Sequence, residues 1–171
     1  MSVSLFIALV CTSALVLARE EDEPQLVNYN SPPCNVSQNV NGFKTFRDRH
    51  ILQQSFNTRS QSDWNQYLRR FGLCNRPLQS FIEGRDENRV KQICNGAGRN
   101  QKDNLCTSNS SFLIHVLRLI PYSCRVYPPS RIKEYITVAC DRLVNVCLPV
   151  HYDGNQPLPL NSRLPLCKIK Y

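Results

Sequence analysis

Histidine is scarce in this chain of 171 residues: three occur, His50, His115 and His151. Neither His50 nor His151 has a second histidine or a cysteine at metal-ligand spacing, which argues against a zinc site. No Cys-x-x-Cys occurs, so the cysteines do not read as a metal knuckle or a dithiol redox centre. No stretch beyond residue 18 is apolar enough to span a bilayer, and no segment repeats. No metal and no cofactor is therefore expected, and attention falls on two imidazoles about a hundred residues apart, His50 in Phe-Arg-Asp-Arg-His and His151 in Pro-Val-His-Tyr-Asp. A general base and a general acid working near neutral pH need pKa values close to that pH, and imidazole alone has one unaided.

Residues 1–18, MSVSLFIALVCTSALVLA, carry no charge and end with Val16 and Ala18 at the minus three and minus one positions. They read as a cleaved signal peptide, although the usual amino-terminal Lys or Arg is missing. Arg19-Glu-Glu-Asp follows, which is not a stop-transfer pattern, so export and an extracellular location are expected. Removing 18 of 171 residues leaves 153, enough for one domain with one core and expected to be a monomer. Of nine cysteines, Cys11 leaves with the leader, and the remaining even number in an exported chain implies a disulfide framework. The net charge of +8 belongs wholly to the mature part and points to a polyanion: RNA, a heparin-like sugar or an anionic cell surface. Asn35-Val-Ser and Asn109-Ser-Ser are glycosylation acceptor sequences.

Residues 19–41, with Pro24, Pro32 and Pro33, read as a flexible lead segment tethered at Cys34. From Gly42, Phe43, Phe46 and His50 recur at helical spacing on one face. Asp63 to Arg70 predicts a second helix, capped by Ser62 or Ser60 and stopped at Gly72, and Asp86 to Ile93 a third. Ser111–Ile120, Arg131–Cys140 and Leu148–Tyr152 are rich in β-branched and aromatic residues and predict strands. Early helices and late antiparallel strands give an α+β domain. Residues 155–171 form a proline-rich tail pinned by Cys167. His115, in an alternating strand, reads as a half-buried structural histidine.

Phe46-Arg-Asp-Arg-His50, Arg76-Pro-Leu-Gln-Ser-Phe81, Val138-Ala-Cys140 and Pro149-Val-His-Tyr-Asp153, in this order, resemble the pancreatic ribonuclease superfamily. Leu68-Arg-Arg-Phe-Gly-Leu73 and the stretch from Asp103 to Phe112 add angiogenin-like phrasing. The resemblance covers residues 42–154 and implies a disulfide-stapled ribonuclease A-like fold, three short helices packed on a curved antiparallel sheet, and an endoribonuclease that cuts RNA on the 3′ side of pyrimidines through a 2′,3′-cyclic phosphate. On that resemblance His50 is the base for the ribose 2′-hydroxyl and His151 the acid for the leaving 5′-oxygen. Asp153 would orient the His151 ring, while Ser80, with Gln79 beside it, and Tyr152 would hold the pyrimidine. Two positions depart from the family: Arg76 stands where a lysine stabilises the phosphorane, and Arg49 where a glutamine contacts the phosphate. A guanidinium supplies the charge but not the compact ammonium, so weakened catalysis is one expectation. The alternative activity is that of a weakly catalytic cationic host-defence or angiogenin-type signalling protein, with Arg69 and Arg70 binding heparin-like polyanions or cell surfaces.

The resemblance also implies the bridges Cys74–Cys124 and Cys94–Cys140. A further family bridge is absent at both ends, with Trp64 and Leu117 in its place, forgoing the roughly 2–5 kcal/mol that a native disulfide supplies. Cys106 matches half of another bridge whose partner, expected near Arg99, is not a cysteine. The remaining four cysteines allow three connectivities, and the expected ones are Cys106–Cys147, across an inserted loop from Asp141 to Val146, and Cys34–Cys167.

Overall fold

The computed structural model describes residues 33–120 and 123–168. The expected signal peptide and residues 19–32 of the lead segment lie outside the described residues.

Helix α1 spans Gly42–His50 and buries Gly42 and Phe46, so the Phe46 side faces the core while Arg47 and Arg49 stay outside. A Cβ on residue 42 would stand 2.8 Å from Val150 Cγ1. Glycine thus lets the start of α1 press against the strand that carries His151. Helix α2 spans Gln61–Arg70 and buries Trp64, Tyr67 and Leu68, the three-and-four spacing of one face. Ser60, not Ser62, caps it: the hydroxyl accepts the Asp63 N–H at 3.1 Å. Gly72, with φ +64°, ends the segment in the left-handed region that favours glycine. Helix α3, Glu87–Gln92, follows a short 3₁₀ turn over Gly84–Asp86.

Seven strands follow the order of the chain: β1 Asn35–Val36, β2 Leu78–Ile82, β3 Gly98–Lys102, β4 Leu105–Ser108, β5 Phe112–Arg118, β6 Ser130–Leu143 and β7 Val146–Gln156. The order β2-β5-β6-β4-β3 is antiparallel throughout, β7 pairs antiparallel with β6, and β1 adds a two-residue parallel bridge to β6. Long β6 serves both halves of the sheet. Its start pairs with β5, while Tyr135 to Leu143 pair with β7. The fold is α+β, three helices on an antiparallel sheet with four disulfides.

The expected loop from Asp141 to Val146 is instead the tip of the β6–β7 hairpin, since β6 continues to Leu143 and β7 begins at Val146. The structured body also extends beyond residues 42–154. Asn35 and Val36 pair with Asp141 and Arg142, and Leu166 bridges Arg99 at the edge of β3.

Two bonds match the resemblance, Cys74–Cys124 and Cys94–Cys140, and two expected pairings are exchanged: Cys34 joins Cys147 and Cys106 joins Cys167. The registers explain the exchange. Cys106 lies opposite Val138 on one side of β6, while Cys147 lies opposite Arg142 on the other. Those positions differ by four residues along β6, about 13 Å at strand rise, well beyond the roughly 4.4–6.8 Å between the Cα atoms of a disulfide. Cys34 precedes the Asn35–Asp141 bridge and so arrives beside Cys147. Cys167 donates its N–H to Gly98 at 2.9 Å, next to Arg99. The tail therefore brings a cysteine to the neighbourhood where the family pattern lacked one. Non-reducing peptide mapping should link Cys34 to Cys147 and Cys106 to Cys167; recovery of a Cys106–Cys147 peptide would contradict this sheet order.

One apolar cluster packs α1 and α3 on the sheet around Phe46, Ile82, Phe112 and Ile136 and takes in three of the bridges. A second packs α2 through Trp64, Leu68, Phe81 and Leu117. Trp64 and Leu117, at 1% and 0% exposure, share that second cluster. Apolar packing fills the place of the absent bridge.

Candidate active site

Three elements converge on one cleft of about 340 Å³. The last turn of α1 contributes Arg49 and His50, β7 contributes His151, Tyr152 and Asp153, and β2 with the turn before it contributes Arg76, Gln79 and Ser80. The eight residues that the resemblance assigns to catalysis, orientation or substrate binding all line this cleft. Thr45 and Asn155, which the sequence did not single out, line it as well.

His50 Nδ1 lies 3.0 Å from the Ser80 carbonyl oxygen. A carbonyl can only accept, so Nδ1 carries the proton and Nε2 keeps its lone pair. Tyr152 stacks on the same imidazole, with ring centroids 5.0 Å apart and planes 17° from parallel, and Phe46 packs at 5.6 Å. Burial pushes the His50 pKa down to about 4, opposed by the Ser80 carbonyl and aided by the positive surroundings of Arg76, His151 and Arg49. The ring is neutral at pH 7, the form a base requires.

The sign of the cleft follows from what pairs with what. Asp48 is taken by Lys44 at 2.8 Å and Arg47 at 3.3 Å. Arg49 and Arg76 form no ion pair among the described residues and are exposed at the cleft. Two free guanidinium groups facing one cleft make an anion site.

Gln79 does a different job from the expected base contact. Its side chain is buried, and its Nε2 donates to the carbonyl oxygens of Leu73 at 3.0 Å and Arg76 at 3.2 Å. It holds the turn that presents Arg76. Asp153 differs too: among the described residues it makes no hydrogen bond to His151. The β6–β7 register shifts between Thr137 and Val138, so Thr137 faces Gly154 and Val138 faces Tyr152, which leaves Asp153 out of the ladder. A second shift, between Ala139 and Cys140, similarly displaces Val150. Irregularities on both sides of His151 aim its exposed ring into the cleft.

His115 is buried more deeply than expected, at 1% exposure, with Nε2 3.3 Å from Glu83 Oε1 and no hydrogen-bond partner for Nδ1 among the described residues. Burial lowers its pKa in spite of Glu83. His50 and His115 therefore both resist protonation in the folded state, whereas the unfolded chain takes up those protons near pH 6.5. The unfolded state binds more protons below that value, so stability falls as the pH drops from about 6.5 toward 4. A melting temperature that stayed level across this interval, or rose, would oppose the assignment of two buried neutral imidazoles.

Among the described residues no group of three or more His, Cys, Asp or Glu is placed to hold a metal ion, and no helix is long and apolar enough to cross a membrane. No protein-family model matches the chain, and no curated protein matches it. Among solved structures the chain is similar to green turtle egg-white ribonuclease, with 25% identity and a TM-score of 0.53 over 67% of this chain and 98% of that one. The likeness, added to the cleft, supports the ribonuclease superfamily for this chain.

Proposed function

We propose that the protein is a secreted endoribonuclease that cleaves RNA on the 3′ side of pyrimidines by transphosphorylation, without a metal or cofactor. The observation that carries this reading is the fixed tautomer of His50, whose Nε2 lone pair belongs to a cleft shared with His151 and two unpaired arginines. Nε2 takes the proton of the 2′-hydroxyl as that oxygen bonds to phosphorus. The bond from phosphorus to the 5′-oxygen breaks, and His151 supplies the proton to the leaving alkoxide. The product is a 2′,3′-cyclic phosphate and a free 5′-hydroxyl. Arg76 faces the negative charge that builds on the non-bridging oxygens, and Arg49 holds the phosphate.

The four disulfides fit an oxidising, extracellular setting for a monomeric protein. Asn35 and Asn109 are both exposed, as glycan acceptors must be. A second reading, a cationic protein that binds heparin-like polyanions or cell surfaces in the angiogenin or host-defence manner, draws on the exposed Arg69 and Arg70, with Arg69 and Arg125 beside the Cys74–Cys124 bridge. A pyrimidine–purine dinucleotide incubated with the mature protein and a chelator separates the two. Cyclic phosphate should accumulate and then hydrolyse. Intact dinucleotide together with salt-resistant heparin binding would favour the second reading.

A further inference from the structure

Helix α1 stops at His50 for a reason that lies outside it. The Ile51 N–H still donates to the Arg47 carbonyl, one helical turn back, at 2.9 Å. The next donor leaves. The Leu52 N–H, which an unbroken helix would give to the Asp48 carbonyl, goes instead to the Ile82 carbonyl of β2 at 2.9 Å. Ile51 bridges Ile82 in parallel, and His50 Nδ1 meets the Ser80 carbonyl, which lies just before Ile82 on the same strand. The imidazole thus serves as one more rung between the end of α1 and β2, and its direction depends on the helix breaking where it does.

The break frees the Asp48 carbonyl, and a second helix answers it. Tyr67 of α2 donates its hydroxyl to the Asp48 carbonyl at 3.1 Å and to the Ile51 carbonyl at 3.2 Å, on either side of His50 in the chain. Both oxygens only accept, so the single phenol proton is shared between them. The ring that carries it is buried and packed against Phe56, Phe71 and Phe81, with centroids 5.4, 4.6 and 5.7 Å away. A fixed donor therefore stands in for the Leu52 N–H. Resting on the ribonuclease reading, we propose that Tyr67 is a positioning residue for the catalytic base: its hydroxyl holds α1 open at His50 and so keeps Nδ1 on Ser80 and the Nε2 lone pair toward the cleft. Without that hydroxyl the Asp48 carbonyl has its helical donor to reclaim, and a helix continued through Leu52 would draw His50 away from Ser80.

The test is Tyr67→Phe, which keeps the packed ring and removes one oxygen. A cavity of about 310 Å³ beside Asp48, Ile51 and Tyr67 lets water reach both carbonyls, so the variant should fold. Water is not anchored to a packed ring and should not restore the alignment. Nitrogen NMR spectra of the histidine-labelled mature protein near neutral pH report which ring nitrogen carries the proton. The wild type should show His50 protonated on Nδ1, and Tyr67→Phe a mixture of both tautomers. On a pyrimidine–purine dinucleotide its kcat should fall about fivefold, the weight of one neutral hydrogen bond, with KM little changed because Arg76 is held by its own turn. Leu68→Val, at a buried position on the same face of α2, lowers stability by packing alone and should leave the tautomer and kcat as in the wild type. An unchanged tautomer in Tyr67→Phe, an unchanged kcat, or the same mixture in Leu68→Val overturns the proposal. If the wild type cleaves no dinucleotide, the ribonuclease reading fails by itself, and the tautomers alone decide whether Tyr67 sets the ring.

Discussion

Replacing His50 or His151 with alanine should lower RNA cleavage by ~10²–10⁴-fold, the range that a positioned proton carrier contributes. Binding to RNA should change little, because phosphate affinity comes from Lys and Arg. The pH profile distinguishes the two roles. With the His50 pKa at about 4, the acid limb of kcat/KM, which reports the free enzyme, should fall near pH 4 and not near 6.5. A bound phosphate offsets the Arg76 and Arg49 charges that help depress that pKa, so the acid limb of kcat should lie at higher pH than that of kcat/KM. Near wild-type cleavage by either alanine variant would remove that histidine from the mechanism. Coincident acid limbs would show that the arginines and the phosphate do not meet at His50.

Much of this site is legible in the chain because its carriers stand in short words. Phe46 and His50 lie four residues apart on a helix, and His151 to Asp153 are consecutive on one strand. Local periodicity settles such elements. The strands that escape detection are those without it: β3 is Gly-Arg-Asn-Gln-Lys, polar throughout, and strand only because β4 pairs with it. β2 is placed by β5 in the same way. The exchanged bridges fail for a related reason, since Cys34 and Cys167 acquire their partners from a bridge at Asn35 and an edge contact at Gly98 that no local pattern encodes. Tyr67 meets Asp48 and Ile51 from another helix, so its link to the end of α1 exists only once the packing is known. Gln79 shows the limit of carrying a role over by position: the residue lines the cleft, but its amide is spent on the backbone of the preceding turn.

Arg76 is where chemistry and resemblance diverge, and Arg76→Ala should lower kcat by ~10²–10³-fold, as for the loss of one preorganised donor to developing charge. Its position favours that effect. The backbone around it is held on both sides, by its own N–H donating to Leu73 at 3.2 Å and by Gln79 donating to its carbonyl, while among the described residues the guanidinium has no ion pair to give up. Arg76→Lys should hold or raise the rate, because a compact ammonium meets the phosphorane without the angular demands of a planar fork. The same change should ease the depression of the His50 pKa little, since the charge is kept. Arg76→Ala, in contrast, removes a cation that helps lower that pKa, and should move the acid limb of kcat/KM upward from about 4. Loss of rate with this upward movement places the charge at the reacting phosphate and beside the base at once. An unchanged rate in Arg76→Ala would make Arg76 a surface charge only and transfer the role of phosphorane cation to Arg49, the other unpaired guanidinium of the cleft.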